Sequence, residues 1–99
     1  FEMNVQPTKE FLAGLNNFKR QYLIDVLAEN DALLADGFEE ALIGYTQGSN
    51  VVAVYDYDTC VSILVHRDGM TIEDAVEFME YNVVGSYVGD KTPVFISYG

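Results

Sequence analysis

The chain has 99 residues, the size of one domain, and its 16 Asp and Glu against 5 Lys and Arg give a formal net charge of −11. Such a surface repels phosphate groups, so we expect no direct binding to nucleic acid or to anionic membranes. With one cysteine and no apolar run near the roughly 20 residues that a bilayer requires, the sequence predicts a soluble, cytoplasmic protein.

The first third of the chain is predicted to be an extended or frayed arm at residues 1–6 followed by an N-terminal helical part at residues 7–30. Thr8 is the predicted N-cap. Gly14 and the Asn16–Asn17 pair weaken the middle, so one kinked helix and two short helices are both open. The helical stripe recurs at spacings of three and four residues and consists of Phe11, Leu12, Leu15, Phe18, Tyr22, Leu23 and Val26.

The next stretch is ambiguous between helix and strand. Asp31–Asp36 has the composition of one more helical turn, which Gly37 would end as a breaker or C-cap. Phe38–Thr46 begins with two glutamates that suit a helix and continues with apolar residues that suit a strand. The turn residues that follow favour a hairpin of Ala41–Thr46 with Val51–Tyr55. The second of these strands is nearly all apolar, which is typical of a strand that is central or covered on both faces.

Two helices joined at Gly69 are predicted after this hairpin. Asp56 and Asp58 are both suitable N-caps for the first helix. His66 and Arg67 lie in its last turn, where cations interact favourably with the helix dipole, and Gly69 suits the left-handed cap position.

The second of these helices is predicted to begin at Thr71, which forms an approximate capping box with Asp74. Gly85 and Gly89 mark its end, and Val94–Tyr98 is a predicted strand. The helix carries an apolar stripe made of Ile72, Val76, Met79 and Val83. It also carries an acidic edge made of Glu73, Glu77 and Glu80.

The predicted fold class is therefore α+β, as a small single domain over residues 1–99 with element order α-β-β-α-α-β. We expect about three mainly antiparallel strands with helices packed on one face of the sheet. The α+β core is predicted to span residues 38–98.

The same region resembles a group of short uncharacterised proteins of bacteria and their phages, over roughly residues 37–98. The motifs that carry the resemblance are VYDYDTC (54–60), GMTIEDA (69–75), EFMEYNV (77–83), GSYVG (85–89) and TPVF (92–95). The resemblance implies a phage or mobile-element context and no particular catalytic residues. For a phage-encoded protein, the cytoplasm would be that of the host cell.

Two features could carry chemistry. Asp56 and Asp58 follow a buried strand, where two carboxylates could bind a divalent metal ion. Such a pair is common by chance, and helix capping together with an Asx-type turn is the favoured explanation. Cys60 and His66 are six residues apart on one predicted helix, about 9 Å along its axis, which is too far for a nucleophile and its base. The cysteine also lies in an apolar run, as a small buried hydrophobe does. No cofactor motif is present, and we expect a binding protein rather than an enzyme.

The acidic surface is the main candidate for function. We expect a protein partner that is basic or handles nucleic acid, bound in the manner of an accessory or inhibitor protein. The candidate partner-binding residues are Glu73, Asp74, Glu77, Glu80, Glu39 and Glu40. If its acids gather on one side, the domain could imitate a DNA duplex; the simpler alternative is an acidic surface that aids solubility. Two further hypotheses are a small divalent-metal-binding protein or metal-dependent enzyme built on the two aspartates, and a structural or virion-associated subunit. Homo-oligomerisation through the apolar N-terminal helix is also expected to be feasible.

Overall fold

The computed structural model describes the backbone of residues 9–97 and the side chains of residues 19–97. The predicted arm at residues 1–6, the N-cap at Thr8 and the strand end at Tyr98 lie outside the described residues. The same holds for the side chains of the first four members of the helical stripe, Phe11, Leu12, Leu15 and Phe18.

Helix α1, Lys9–Glu29, is one continuous helix of 21 residues, so the weak helix formers near Gly14 do not divide it. Its last turns pack on the core, where Leu27 is fully buried and Leu23 is half-buried. The helix ends at Glu29 because the chain then turns through Asp31, whose φ of 56° is left-handed. Side chains at this end of the helix thus reach the core.

The segment between α1 and the sheet is irregular. Asp31–Asp36 forms no further helical turn, and Gly37 is therefore not a helix C-cap; its φ of 90° instead serves a turn. A single 3-10 turn, Glu39–Ala41, follows. The segment Phe38–Thr46, which the sequence left open between helix and strand, contains both: its glutamates form this 3-10 turn, and the apolar residues after them form a strand.

The predicted hairpin is present. Strand β1, Leu42–Tyr45, pairs antiparallel with strand β2, Ala53–Asp56. The connecting loop is closed by the Thr46 amide, which donates to the carbonyl oxygen of Val52 at 3.0 Å. A bulge lies between Leu42 and Gly44.

Helices α2, Tyr57–Asp68, and α3, Ile72–Phe78, follow without a further strand. Gly69 ends α2 in the left-handed conformation, with φ of 69°, as predicted. The hydroxyl of Thr71 accepts a hydrogen bond from the amide of Asp74 at 3.1 Å and so caps α3. The chain then widens into a π-helical segment, Met79–Val84, which the sequence did not predict.

The sheet is completed by strand β3, Val94–Ile96, in the order β1-β2-β3. This strand pairs parallel with β2, with Val54 opposite Val94. The sheet is therefore mixed: one of its two pairings is antiparallel as expected, and the other is parallel. A parallel neighbour needs a long crossover, and α2, α3 and the π-helical segment supply it.

Tyr55 lies at the centre of the core. The residue is 1% exposed, and its ring stacks on that of Phe95 with centroids 5.5 Å apart. Its hydroxyl accepts a hydrogen bond from the amide of Ala35 at 2.8 Å. The buried cluster around it draws on the end of α1, the 3-10 turn, the sheet and both later helices, and includes Leu27, Phe38, Leu42, Cys60, Leu64, Ala75 and Met79. The domain is thus a small α+β fold whose helices meet the sheet on the face that carries Tyr55.

Candidate functional site

The junction of β2 and α2 holds the two candidate metal ligands. The Asp56 carboxylate accepts one hydrogen bond from the amide of Asp58 at 3.2 Å and another from the Thr59 hydroxyl at 2.6 Å. Both of its oxygens therefore serve the N-cap of α2, while the side chain of Asp58 is exposed. Within the part of the chain that the structure describes, no three His, Cys, Asp or Glu side chains are grouped so as to hold a metal ion.

Cys60 and His66 lie on the same helix, and their environments differ. Cys60 is fully buried, and burial together with the nearby charge of Asp56 raises the pKa of its thiol to about 11. Such a thiol is protonated at neutral pH and is a poor nucleophile. His66 is exposed in the last turn of α2. The Cys60 thiol is therefore inside the core, whereas the His66 imidazole is on the surface.

The acidic residues of α3 and of the π-helical segment after it are on the surface. Glu73, Asp74, Glu77 and Glu80 are all exposed. Glu80 accepts a hydrogen bond from the hydroxyl of Tyr57 at 3.0 Å, and partial burial together with this carboxylate raises the pKa of Tyr57. Among the described residues, no Lys, Arg or His forms an ion pair with any of these four carboxylates; the ion pair in the described part of the chain joins Arg67 to Asp68.

Glu39 and Glu40 lie elsewhere on the surface, in a depression that Arg67 also lines. The Glu39 carboxylate accepts from the amide of Gly37 at 3.1 Å, and hydrogen bonds from its own amide and from Gly37 lower its pKa. Arg67 also donates to the carbonyl of Gly37 at 2.6 Å. This depression is therefore mixed in charge, and the six predicted partner-binding residues divide into two sets.

An apolar groove runs between α2 and α3, next to the acidic residues of α3. It has a volume of about 380 Å³, and its apolar lining comes from Val61 and Val65 on α2 and from Ile72 and Val76 on α3. Ile72 is 64% exposed and Val76 is 36% exposed. Tyr57 at the start of α2 is hydrogen-bonded to Glu80, which lies just after the end of α3. The two helices are therefore antiparallel, and the groove extends along both.

Sequence reasoning missed this groove. It placed Ile72 and Val76 on one apolar stripe with Met79, but the residues buried here are Ala75 of α3 and Met79 of the π-helical segment, and Ile72 and Val76 face solvent. The signal was available in the sequence: apolar residues at 72, 75, 76, 78 and 79 cover more of the helix circumference than one buried face requires. Which of them faces outward is decided by tertiary packing.

Comparison of the chain with protein-family models, with curated proteins and with solved structures found no match. Among the described residues, no helix has the length and apolar character needed to cross a membrane.

Proposed function

We propose that this protein acts by binding another protein and that the acidic surface of α3 contacts a basic segment of that partner. The observation that supports the proposal is the state of four neighbouring carboxylates, those of Glu73, Asp74, Glu77 and Glu80. All are exposed, and no described Lys or Arg neutralises them.

The charge balance of the whole surface favours the same conclusion. Of the fourteen Asp and Glu with described side chains, thirteen are exposed, against four Lys and Arg in the same residues. Like charges that crowd on one helix repel each other, and a cationic partner would relieve that repulsion. A surface of one sign also accelerates the encounter with a partner of opposite sign, by about 10-fold or more at low salt.

Exposed aromatic side chains add contact area beside these acids. Tyr81 is 77% exposed and lines a shallow depression together with Asp74 and Glu77. Tyrosine combines a large apolar ring with a polar hydroxyl and is enriched at protein interfaces. In the phage or mobile-element context that the resemblance implies, a host protein that handles nucleic acid is the partner class that carries such a basic surface.

The proposal is tested by affinity capture from bacterial lysate at about 0.05 M and about 0.5 M salt, followed by mass spectrometry. The test variant is the triple substitution Glu73→Gln/Glu77→Gln/Glu80→Gln, in which the side-chain amide oxygen at position 80 can still accept from Tyr57. The matched control removes the same number of charges from other exposed positions, as Asp25→Asn/Glu29→Gln/Asp36→Asn.

We expect the wild type and the control to retain the same basic protein at low salt, and we expect the α3 variant to lose it. High salt should also release it, because charges on exposed surfaces are screened within a few ångströms there. If the α3 variant retains the partner as well as the control does, or if the wild type retains none, the proposal is wrong.

A further inference from the structure

We infer that the groove between α2 and α3 is the docking site for an amphipathic helix of the partner, one with an apolar stripe flanked by Lys and Arg. This inference rests on the proposed function and names the part of the partner that would be bound. Neither an acidic surface nor an apolar groove alone would specify such a ligand, but here the two adjoin.

The floor of the groove is an apolar helix face that no other described part of the chain covers. Val61 and Val65 are half-buried along α2, and Ile72 and Val76 face them from α3 with substantial exposure. An amphipathic helix of a globular protein normally turns its apolar stripe toward the core. A helix laid into such a groove would remove these side chains from water, which is the helix-in-groove mode of recognition.

The rim of the groove is acidic. Glu73 and Glu77 follow Ile72 and Val76 directly in sequence, about 100° further around α3, so each of the two α3 side chains of the floor has an exposed carboxylate next to it in the chain. Asp58 lines the groove at the start of α2, and His66 lines it near the end of that helix, so the charged groups around the groove are mainly acidic. Charge complementarity therefore specifies a cationic ligand.

The same charges argue against a second copy of this chain as the occupant. Each copy carries a formal charge of −11, and docking groove to groove would bring two acidic rims together. Like charges brought close at an interface oppose association. A basic helix meets no such opposition.

The dimensions of the groove fit about three helical turns. Helix α2 has 12 residues and is about 18 Å long at 1.5 Å per residue. A ligand helix lying along it would present apolar residues at i, i+3 or i+4, and i+7, with basic residues at the positions between them.

The probe for this inference is a fluorescently labelled 15-residue amidated peptide of Leu, Ala and Lys, with Leu at i, i+3, i+4 and i+7. A scrambled peptide of the same composition keeps the charge and destroys the apolar stripe. Fluorescence anisotropy at about 0.05 M salt measures both peptides against the wild type, Ile72→Ser and Val88→Ser. Val88 is a matched control because it is 64% exposed, as Ile72 is, and does not line the groove. Both substitutions are at exposed positions, so both proteins should fold.

We expect the amphipathic peptide to bind the wild type and Val88→Ser about tenfold more tightly than the scrambled peptide. Ile72→Ser should lose that tenfold difference. Equal binding of the two peptides would show that the groove is not the docking site, while leaving the proposal of charge-based partner binding in place. The groove assignment would also be wrong if Ile72→Ser retained the same lysate partner as the wild type. Concentration-dependent dimerisation that Ile72→Ser abolishes would identify a second copy as the occupant and would also overturn the inference.

Discussion

Removing a single oxygen atom from the core, in Tyr55→Phe, tests how the irregular segment before the sheet is held. The Tyr55 hydroxyl is the hydrogen-bond acceptor of the Ala35 amide, at 2.8 Å, across twenty positions of the chain. Phenylalanine retains the ring and its stacking on Phe95, so the substitution isolates this hydrogen bond.

The expected cost follows from the environment of the bond. A hydrogen bond between neutral groups contributes about 1 kcal/mol net, and a partly buried donor left without an acceptor brings the loss toward about 2 kcal/mol. For a domain of this size each kcal/mol lowers Tm by about 4 to 8 °C, so Tyr55→Phe should melt about 4 to 15 °C lower than the wild type. Tyr87→Phe is the control, since Tyr87 is 75% exposed, and should change stability by less than about 0.5 kcal/mol.

Two measurements check this prediction. Thermal unfolding followed by circular dichroism gives Tm for the three proteins. Amide hydrogen exchange by NMR reports on Ala35 itself, which should exchange about tenfold faster in Tyr55→Phe, the equivalent of about 1.4 kcal/mol. An unchanged Tm together with unchanged exchange at Ala35 would refute the role assigned to the hydroxyl.

Three further predictions concern other positions. In Gly85→Ala the new Cβ would lie 2.7 Å from the backbone oxygen of Glu80, so we expect the free energy of unfolding to fall by about 1 to 3 kcal/mol. Gly44 is the control, because a Cβ there would meet nothing within 4 Å and Gly44→Ala should change stability by less than about 1 kcal/mol. Urea unfolding of both variants measures the difference. Asp56→Ala removes the N-cap of α2 and should cost about 1 kcal/mol by thermal shift, with Asp56→Asn costing less and Mg²⁺ changing neither. The Cys60 thiol should react with a disulfide reagent no faster than the protein unfolds. Because burial raises its pKa from 9.0 to about 11, the unfolded thiol ionises first, and stability should fall between about pH 9 and about pH 11 by more than it does in Cys60→Ala.

Each of these predictions has a contrary result. Equal stability of the two glycine variants would show that the π-helical segment shifts to admit a side chain at Gly85. A Mg²⁺-dependent rise in Tm that Asp56→Asn abolishes would assign a metal site to the strand end in place of a helix cap. A thiol reaction faster than unfolding, or the same alkaline loss of stability in Cys60→Ala, would contradict the burial of Cys60.

Local signals in the sequence predicted the elements whose ends are set by single residues. The N-cap at Asp56 and the left-handed cap at Gly69 fix α2 because a carboxylate satisfies free amides and glycine alone adopts that conformation without strain. The turn residues before Val51 located the hairpin in the same way. These effects act within a few residues and need no knowledge of the rest of the fold.

The features that sequence did not reveal depend on distant contacts. The parallel pairing of Val54 with Val94 is set by how α2 and α3 return the chain to the sheet, and neither strand encodes its direction. The outward orientation of Ile72 follows from the burial of Ala75 and Met79, which only tertiary packing decides. For the same reason only part of the candidate site was visible in the sequence: the helical spacing of Glu73, Glu77 and Glu80 predicted an acidic edge, but nothing predicted the apolar groove beside it.

The crossover before β3 also sets an order of folding. Tyr45 and Ala53 in the hairpin are eight positions apart, whereas Val54 and Val94 are forty apart, and closing the longer loop costs about 1.4 kcal/mol more in chain entropy. We expect the hairpin to form early and β3 to dock late, as is typical of non-local strand pairing. Until Phe95 arrives, one side of Tyr55 has no covering ring. During that interval β2 has an apolar, unpaired edge that other chains can contact. We therefore expect aggregation to occur mainly from this partly folded state.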